Sequence, residues 1–565
     1  MHFVVIIFSL INLLSFNSHA PCDAPYIIEI PSHLDLSETS SFEISLKESG
    51  LSENQILHVD MPDHFTLSDT HGRQDVQGQV TNHEITFTNN DLLAKNVGLE
   101  IEQLQAGDWS GQLDIHIYIE NTIPSNVLES GEELNALLKQ YDPTSVIFTD
   151  SVTDLACIGD VSKAKDASIN AYIDGTVIYI SNNAEGKILS DTSLKNCFKD
   201  LHSLSGVDLS HLDTSGCEDM SHMFEDAISL TSINGIADLN TSNVRDLSYL
   251  FKGCESIASL NVSAFDTSNA ENLESAFAYC SSLKNLKLAS WDLSSCLDLS
   301  DLFCQCLSLT STGDLSSWNT ANVTDLSGVF DSCPKLRNVG SLSNWNTSNV
   351  TDLSRLFNNC SKLSSIGSIE GWDVSNVTSF SRTFANAASL SEIGDLSNWN
   401  VTSSCINLSY MFENSFVLEE NEDLHLWDVS NVTDFSHMFK NNEVLKTIDL
   451  SGWNTSHMND ASQMFAYDQS SSLSKLETIY GIESFDTSSL ITMSGIFYEN
   501  QYLNADLSSW NTALLEDISY AFYGTYRFDV DKLKHWNVSS VSNMNEAFGD
   551  NAGSLIQSPI PDWYH

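Results

Sequence analysis

The sequence predicts a repeat solenoid: a stack of short, β-rich coils, preceded by a β-sandwich domain and an α/β capping segment. Three observations carry this expectation. One block recurs at near-constant spacing over more than half of the chain. Apolar residues occupy the same places in every block. The first hundred or so residues lack the block and show short alternating runs instead.

The block is plainest in the middle of the chain. Trp345-Asn346-Thr347-Ser348-Asn349-Val350-Thr351-Asp352-Leu353-Ser354 is echoed by Trp372-Asp373-Val374-Ser375-Asn376-Val377-Thr378 and by Trp427-Asp428-Val429-Ser430-Asn431-Val432-Thr433. A Phe follows each leading Trp about twelve residues on, at Phe357, Phe384 and Phe439. Anchoring on that pair extends the array to thirteen units, starting at Leu212, Leu239, Phe265, Trp291, Trp318, Trp345, Trp372, Trp399, Trp427, Trp453, Phe485, Trp510 and Trp536. The period is 25 to 28 residues, with one step of 32 that adds residues near Tyr467 to Leu476. Cys197-Phe198 reads as the tail of a degenerate leading unit. Cys280-x-x-Leu283-x-x-Leu286-x-Leu288 follows the leucine-rich-repeat pattern, and the period lies in that range. The solenoid is placed at 206–565. One coil cannot bury its apolar face alone, whereas stacked coils about 4.8 Å apart can.

Stacking turns each repeat position into a row. Cys254, Cys280, Cys306, Cys333 and Cys360 form one, three residues after the Phe, with Asn442 and Asn500 in later units. A buried row of free thiols is the preferred reading. Export would permit disulfides instead, and a metal ladder is disfavoured because each coil offers one ligand. Asx residues form two further rows, one directly after the aromatic (Asp266, Asp292, Asn319, Asp373, Asp428) and one seven beyond it (Asp246, Asp298, Asp325, Asp352, Asp434). Such side chains close local turns, although carboxylate rows are also what calcium takes. Calcium apart, no cofactor is expected. The sequon Asn-x-Ser/Thr occurs at Asn240, Asn261, Asn322, Asn346, Asn349, Asn376, Asn431 and Asn454, and also at Asn359, Asn400, Asn407 and Asn537. These sites accept glycans only on a eukaryotic secretory route, and repetition alone also explains them. The Trp row is read as core rather than as a carbohydrate platform.

Charge narrows the partners. With 76 Asp+Glu against 24 Lys+Arg the formal net charge is -52, which excludes nucleic acid and anionic membrane surfaces. Residues 1–20 read as a signal peptide: Phe3 to Phe16 is apolar, and Ser18-His19-Ala20 resembles a cleavage site. No second stretch reaches membrane-spanning length. The protein is therefore expected to be secreted or at the cell surface. Residues 21–122, with runs such as Tyr26–Ile30, Phe42–Leu46, Ile56–Val59, Glu84–Phe87 and Leu113–Ile119, suggest a β-sandwich (Ig-like) module. Residues 123–205 follow as an α/β cap, with a helix at Glu132–Gln140 and strands at Ser145–Phe148 and Gly175–Ile180.

The unit W-[DN]-[TV]-S-N-V-T-[DS]-[LF]-S-x-x-F-x-x-C-x-x-L resembles that of the BspA-like leucine-rich-repeat surface proteins, over about 60% of the chain, from Leu212 to Phe548. The resemblance implies an adhesin that recognises extracellular proteins or glycans, and brings no catalytic residues with it. Metalloprotease, P-loop, hydrolase-elbow and dinucleotide motifs are absent, so no enzyme is expected. His222 and His437 sit at a variable repeat position and are expected to face solvent. Two other readings stay open: a structural envelope or matrix component assembling through its repeats or its N-terminal module, and a secreted hydrolase with its site in that module. Recognition is assigned to the acidic outer surface between the rows; the oligomeric state is left open.

Overall fold

The computed structural model describes residues 126–391, 393–418, 421–469, 472–549 and 561–564, together with eleven strands before them. It divides into two compact units: residues 1–127 with 160–170, and residues 128–159 with 171–565. The signal-peptide reading lies outside the described residues, except for Val5–Ile7, a strand paired antiparallel with His33–Asp35. Among the described residues no helix is long and apolar enough to cross a membrane.

The first unit holds two further sheets. One has the order Trp109–Gly111, His64–Asp69, Asp75–Thr81, Lys95–Ile101, Ser41–Glu48, Ile27–Glu29, and the other His116–Asn121, Gln55–Asp60, Glu84–Phe87. Every pairing is antiparallel, and most join strands that are not consecutive in the chain. The turn-rich runs at 64–69 and 75–81 are strands that the alternation test passed over.

The second unit opens with a helix, α1, at Gly131–Tyr141, started by a capping box between Ser130 and Glu133. The strand Ser145–Thr149 then pairs in parallel with Gly206–Asp208, which pairs with Ser232–Asn234. Ile188 pairs with Leu212, so Ile188 holds the aromatic position of a leading coil whose Phe is Phe198. That coil has no predecessor, and its outward carbonyls need donors. α1 supplies them. The Gly131 N–H donates to the Ser193 carbonyl at 3.1 Å. The buried Asn135 gives its Nδ2 hydrogens to the carbonyls of Cys197 (3.3 Å) and Lys199 (3.0 Å). The backbone of Leu194 and Lys195 lies so close to Gly131 that a Cβ there would meet the Lys195 oxygen at 2.4 Å.

Within each coil the inward residues are the aromatic, the apolar residues about five and eight further on, and the Phe. In one coil these are Trp345, Val350, Leu353 and Phe357, all at most 3% exposed. Stacking gives two aromatic columns. The Phe column runs unbroken from Phe198 to Phe548, for example with centroids 5.7 Å apart for Phe330 and Phe357. The Trp column has spacings such as 6.3 Å between Trp345 and Trp372. Each indole N–H donates to a carbonyl of the preceding coil: Trp345 Nε1 to Leu315 at 3.1 Å, Trp372 Nε1 to Leu342 at 3.1 Å. The Leu315 carbonyl also accepts the Trp318 N–H, so both of its lone pairs are used.

Little of each coil is regular strand. The strand expected over Cys280–Leu288 reduces to one parallel bridge, Asn285 to Ser311, and a second row of single bridges joins Asp325, Asp352 and Ser379. The segment around the Phe is a run of turns, because alternate residues there adopt opposite uses of their amides. Leu353, Arg355, Phe357 and Asn359 donate to Ser379, Ser381, Thr383 and Ala385 of the next coil, at 2.8 to 3.1 Å. The intervening Leu356, Asn358 and Cys360 donate back within their own coil. At the far end Trp563 stacks on Trp536 at 6.3 Å and donates its indole N–H to Leu533 at 3.1 Å. It stands where a further unit would place its aromatic.

Replacing Asn135 by Ala leaves the buried Cys197 carbonyl without this donor, a loss of about 1–3 kcal/mol, and exposes the half-buried Lys199 carbonyl to water instead. Hydrogen exchange is expected to speed up at Leu194, Phe198 and Asp200, with Leu353 and Phe357 unchanged. Equal acceleration at both places would show that α1 does not act as a local end.

Candidate functional site

The rows read from the sequence are internal stitching. Cys254, Cys280, Cys306, Cys333 and Cys360 are buried, and each thiol donates to the Phe carbonyl of the preceding coil, at 3.0 to 3.2 Å. Asn442 makes the same bond through Nδ2, to Phe412 at 2.9 Å, and Asn500 bonds Phe465 likewise. Thiol and amide thus exchange in this slot because both are compact donors. Burial pushes the five thiols well above the usual range, and holds Cys217, Cys296 and Cys405 up at about 12.

The Asx rows close turns. Asp352 accepts the Ser354 N–H at 2.7 Å, Asp434 the Ser436 N–H at 2.9 Å, and Asp266 the Ser268 N–H at 3.1 Å. The sequon asparagines split in two. Asn240, Asn346 and Asn454 accept the N–H two residues on through Oδ1, at 3.0 to 3.1 Å, and Asn261 does so at 3.4 Å. Asn322, Asn349, Asn376 and Asn431 donate Nδ2 to a carbonyl of the preceding coil at 2.7 Å, so a glycan at that nitrogen would have to take the hydrogen that the stacking bond does not use. The metal-type cluster among the described residues lies on another row: Asp423, His425 and Asp449 each bring one ligand atom within 4.8 Å of the others. Asp423 bonds His425 and raises its pKa.

Variation between coils is concentrated elsewhere. Ten residues after the aromatic (eleven in one coil) stand His222, Tyr249, Ser275, Asp301, Gly328, Arg355, Arg382, Tyr410, His437, Gln463, Gly495, Tyr520 and Glu546. All thirteen have φ between 52° and 61°. Four residues on, a second left-handed position holds, among others, Asp226, Tyr279, Asn359, Asn386, Asn414 and Asn441. Left-handed backbone costs an ordinary residue roughly 1–2 kcal/mol, and the alternating amide row imposes it in every coil. The residue after each Phe lies between these two positions. The three positions form a ribbon along the stack; its first position changes at every step but Arg355 to Arg382, while its second is Asn in four successive coils, Asn359, Asn386, Asn414 and Asn441.

The ribbon also gathers cations, which the expectation of a uniformly acidic outer surface did not foresee. Glu225 receives Lys199 (2.5 Å), His222 (2.6 Å) and Lys252 (3.3 Å). Burial raises its pKa, but Lys199 and His222 outweigh burial and hold it low. Arg355 bonds Asp331 at 3.3 Å and Asp301 at 3.4 Å, and Asn358 Nδ2 donates to Asp331 at 2.8 Å. Lys440 pairs with Asp468 at 3.0 Å. His222 and His437 are not solvent-facing, contrary to expectation. His222 stacks on Tyr249 at 4.6 Å and His437 on Tyr410 at 4.1 Å, because neighbouring coils bring equivalent side chains face to face. Burial, with Lys440 and Arg382 nearby, lowers the pKa of His437 to about 4. Near the insertion, Tyr467, Asp468, Gln469, Leu473, Tyr498 and Glu499 line a cavity of about 260 Å³.

In a Cys22→Ser, Cys157→Ser background, the native protein is expected to give less than about one fast thiol with an aromatic disulfide reagent at pH 8, because thiolate is required and burial disfavours it. Unfolding in guanidinium should release all ten. Fast native labelling at Cys280 or Cys306 would contradict the buried row.

The comparisons bear on the repeat region. No curated protein matches the chain. Among solved structures it is similar to a leucine-rich repeat protein from Bacteroides ovatus, at 13% identity over 69% of this chain and 92% of that one, with a TM-score of 0.28. It is also similar to one from Eubacterium ventriosum, at 14% identity over 67% and 92%, with a TM-score of 0.25. The family model described as "Mycoplasma protein of unknown function, DUF285" matches residues 192–312, 298–421, 392–479 and 471–563. These overlapping matches run from 192 to 563, about two thirds of the chain, and the protein belongs to that family.

Proposed function

We propose that this is an exported binding protein that recognises protein or glycan ligands through the left-handed ribbon. The observation that supports this is the division of labour within one coil. Positions that stitch coils together keep one chemistry over long runs, whereas the first ribbon position takes eight residue types in thirteen coils. Stacking does not need that variety, since Gly328 and Gly495 serve at the same place as Tyr249 and Arg382. Recognition does need it, because specificity comes from a few distinct side chains held in fixed geometry. The two antiparallel sheets of the first unit are read as the layers of a β-sandwich that spaces or presents the array, and residues 1–20 as its export signal.

A second reading is favoured by one feature. Between Ser295 and Ile491 the face carrying Asn322, Thr324, Asn349, Thr351, Asn376 and Thr378 bears no Asp, Glu, Lys or Arg at its two outward columns. On a chain of net charge -52 that neutral stripe is where copies approach with least repulsion, which suits a matrix component.

Two variants separate these readings. Tyr249, Tyr410, His437 and Tyr520 are replaced together by Gly, which the backbone already accepts there; separately, Thr324, Thr351 and Thr378 are replaced by Ala. Retention on intact cells is expected to fall at least tenfold for the first variant and to stay within twofold for the second, with the mature protein monomeric by light scattering. Unchanged retention of the glycine variant would overturn the ribbon reading, and an oligomer dispersed by the Thr variant would favour assembly.

A further inference from the structure

Within the ribbon, one cation differs from the rest. Lys199, Lys252, Arg355 and Lys440 each meet a carboxylate within 4 Å. Arg382, half-buried, meets none among the described residues, and its side chain makes no hydrogen bond there. In a chain with 76 acidic against 24 basic residues, an arginine held without an ion pair stands out among the ribbon cations. Glu413 lies in its field, yet makes no ion pair with it.

The guanidinium is fixed all the same. It lies over the Tyr410 ring, 3.7 Å from the centroid, and Tyr410 stacks in turn on His437 at 4.1 Å and 9° between planes. Stacking on one face immobilises the fork and leaves its in-plane N–H donors free for a bidentate acceptor. Burial keeps His437 neutral, so Arg382 carries the charge of this stack. Beside it runs an amide ladder: Asn414 Nδ2 donates to Asn386 Oδ1 at 2.8 Å, and Gln469 Nε2 donates to Asn414 Oδ1 at 3.2 Å. These bonds use the Asn386 oxygen and the Gln469 nitrogen, so the other atom of each amide is a donor and an acceptor that the ladder does not consume.

We propose that Arg382, Tyr410, Asn386, Asn414 and Gln469 form a binding site for a glycan that ends in a single carboxylate-bearing sugar. Arg382 takes the carboxylate, and the amides take neighbouring hydroxyl groups. A polyanion fits poorly, because the net charge of -52 repels it at long range; one carboxylate on a neutral scaffold does not meet that barrier. The proposal rests on the ribbon reading and names a ligand class for it.

The test is calorimetric titration of the full mature chain with 3′-sialyllactose, with lactose, and with an N-acetylated tripeptide bearing a free C-terminal carboxylate. Arg382→Gln is the main variant, since Gln463 already occupies the equivalent left-handed position. Arg245→Gln, on a different face, is the control. Sialyllactose should bind at least tenfold tighter than lactose, Arg382→Gln should lose that difference, and Arg245→Gln should keep it. Equal binding of the two sugars, no binding of either, or an unaffected Arg382→Gln overturns the site. Binding of the peptide but not of sialyllactose overturns the glycan assignment. If the site fails while the glycine variant still loses cell retention, the ribbon reading stands without it.

Discussion

The structure depends on one row of backbone bonds. In the segment around each Phe, every second amide points along the stack to the next coil and the amides between them turn back within their own. Four bonds per coil, each worth about 1 kcal/mol net, join neighbours without a strand of any length. The alternation also fixes the register, because Phe357 can meet Thr383 only if Arg355 meets Ser381 and Asn359 meets Ala385. Its cost is left-handed backbone at one position in each coil and at a second in most of them. That cost is offset by the columns it aligns, Phe on Phe from Phe198 to Phe548 and an indole column from Trp291 to Trp563 in which Phe485 takes one place.

The same alignment separates the positions that hold coils together from those left free to vary. Side chains that point inward or along the axis meet their own kind one coil away, so thiols, indoles, Asx carboxylates and sequon amides all find partners supplied by repetition. Side chains at the left-handed positions lean over the outer edge of this row. They touch the equivalent residue of the next coil, as His222 touches Tyr249 and Arg382 touches Tyr410; the first position admits Gly, Tyr, Arg and His alike, while the second is mostly Asn, Asp or Gly. A surface results whose geometry is constant and whose chemistry is free to vary.

Much of this was legible in the sequence, for a physical reason. The aromatic, the apolar residues after it and the Phe recur because an inward column tolerates little change, so self-comparison finds them. The Asx rows likewise announce their turns. The first left-handed position was not legible, because Tyr, Arg and His stand where a left-handed residue is ordinarily Gly or Asn, and local propensity misleads. For the same reason His222 and His437 read as solvent-facing: the stacking partner lies a full period away. Asn135 was silent, being one polar residue in a helix more than sixty residues from the carbonyls it serves. Trp563 could have been found, since it stands 27 residues after Trp536, which is the period itself.

The claim that recognition rides on a ribbon the fold does not otherwise need is tested most directly by a substitution scan of the coils with two readouts, protease resistance for folding and retention on intact cells for binding. Substitutions ten and fourteen residues after the aromatic should leave protease resistance near wild type while cutting retention at least tenfold at several coils. Substitutions at the aromatic, the Phe and the inward apolar positions should lose both together. Retention that follows protease resistance at every position, or that falls only along the Asn and Thr stripe, would contradict the claim.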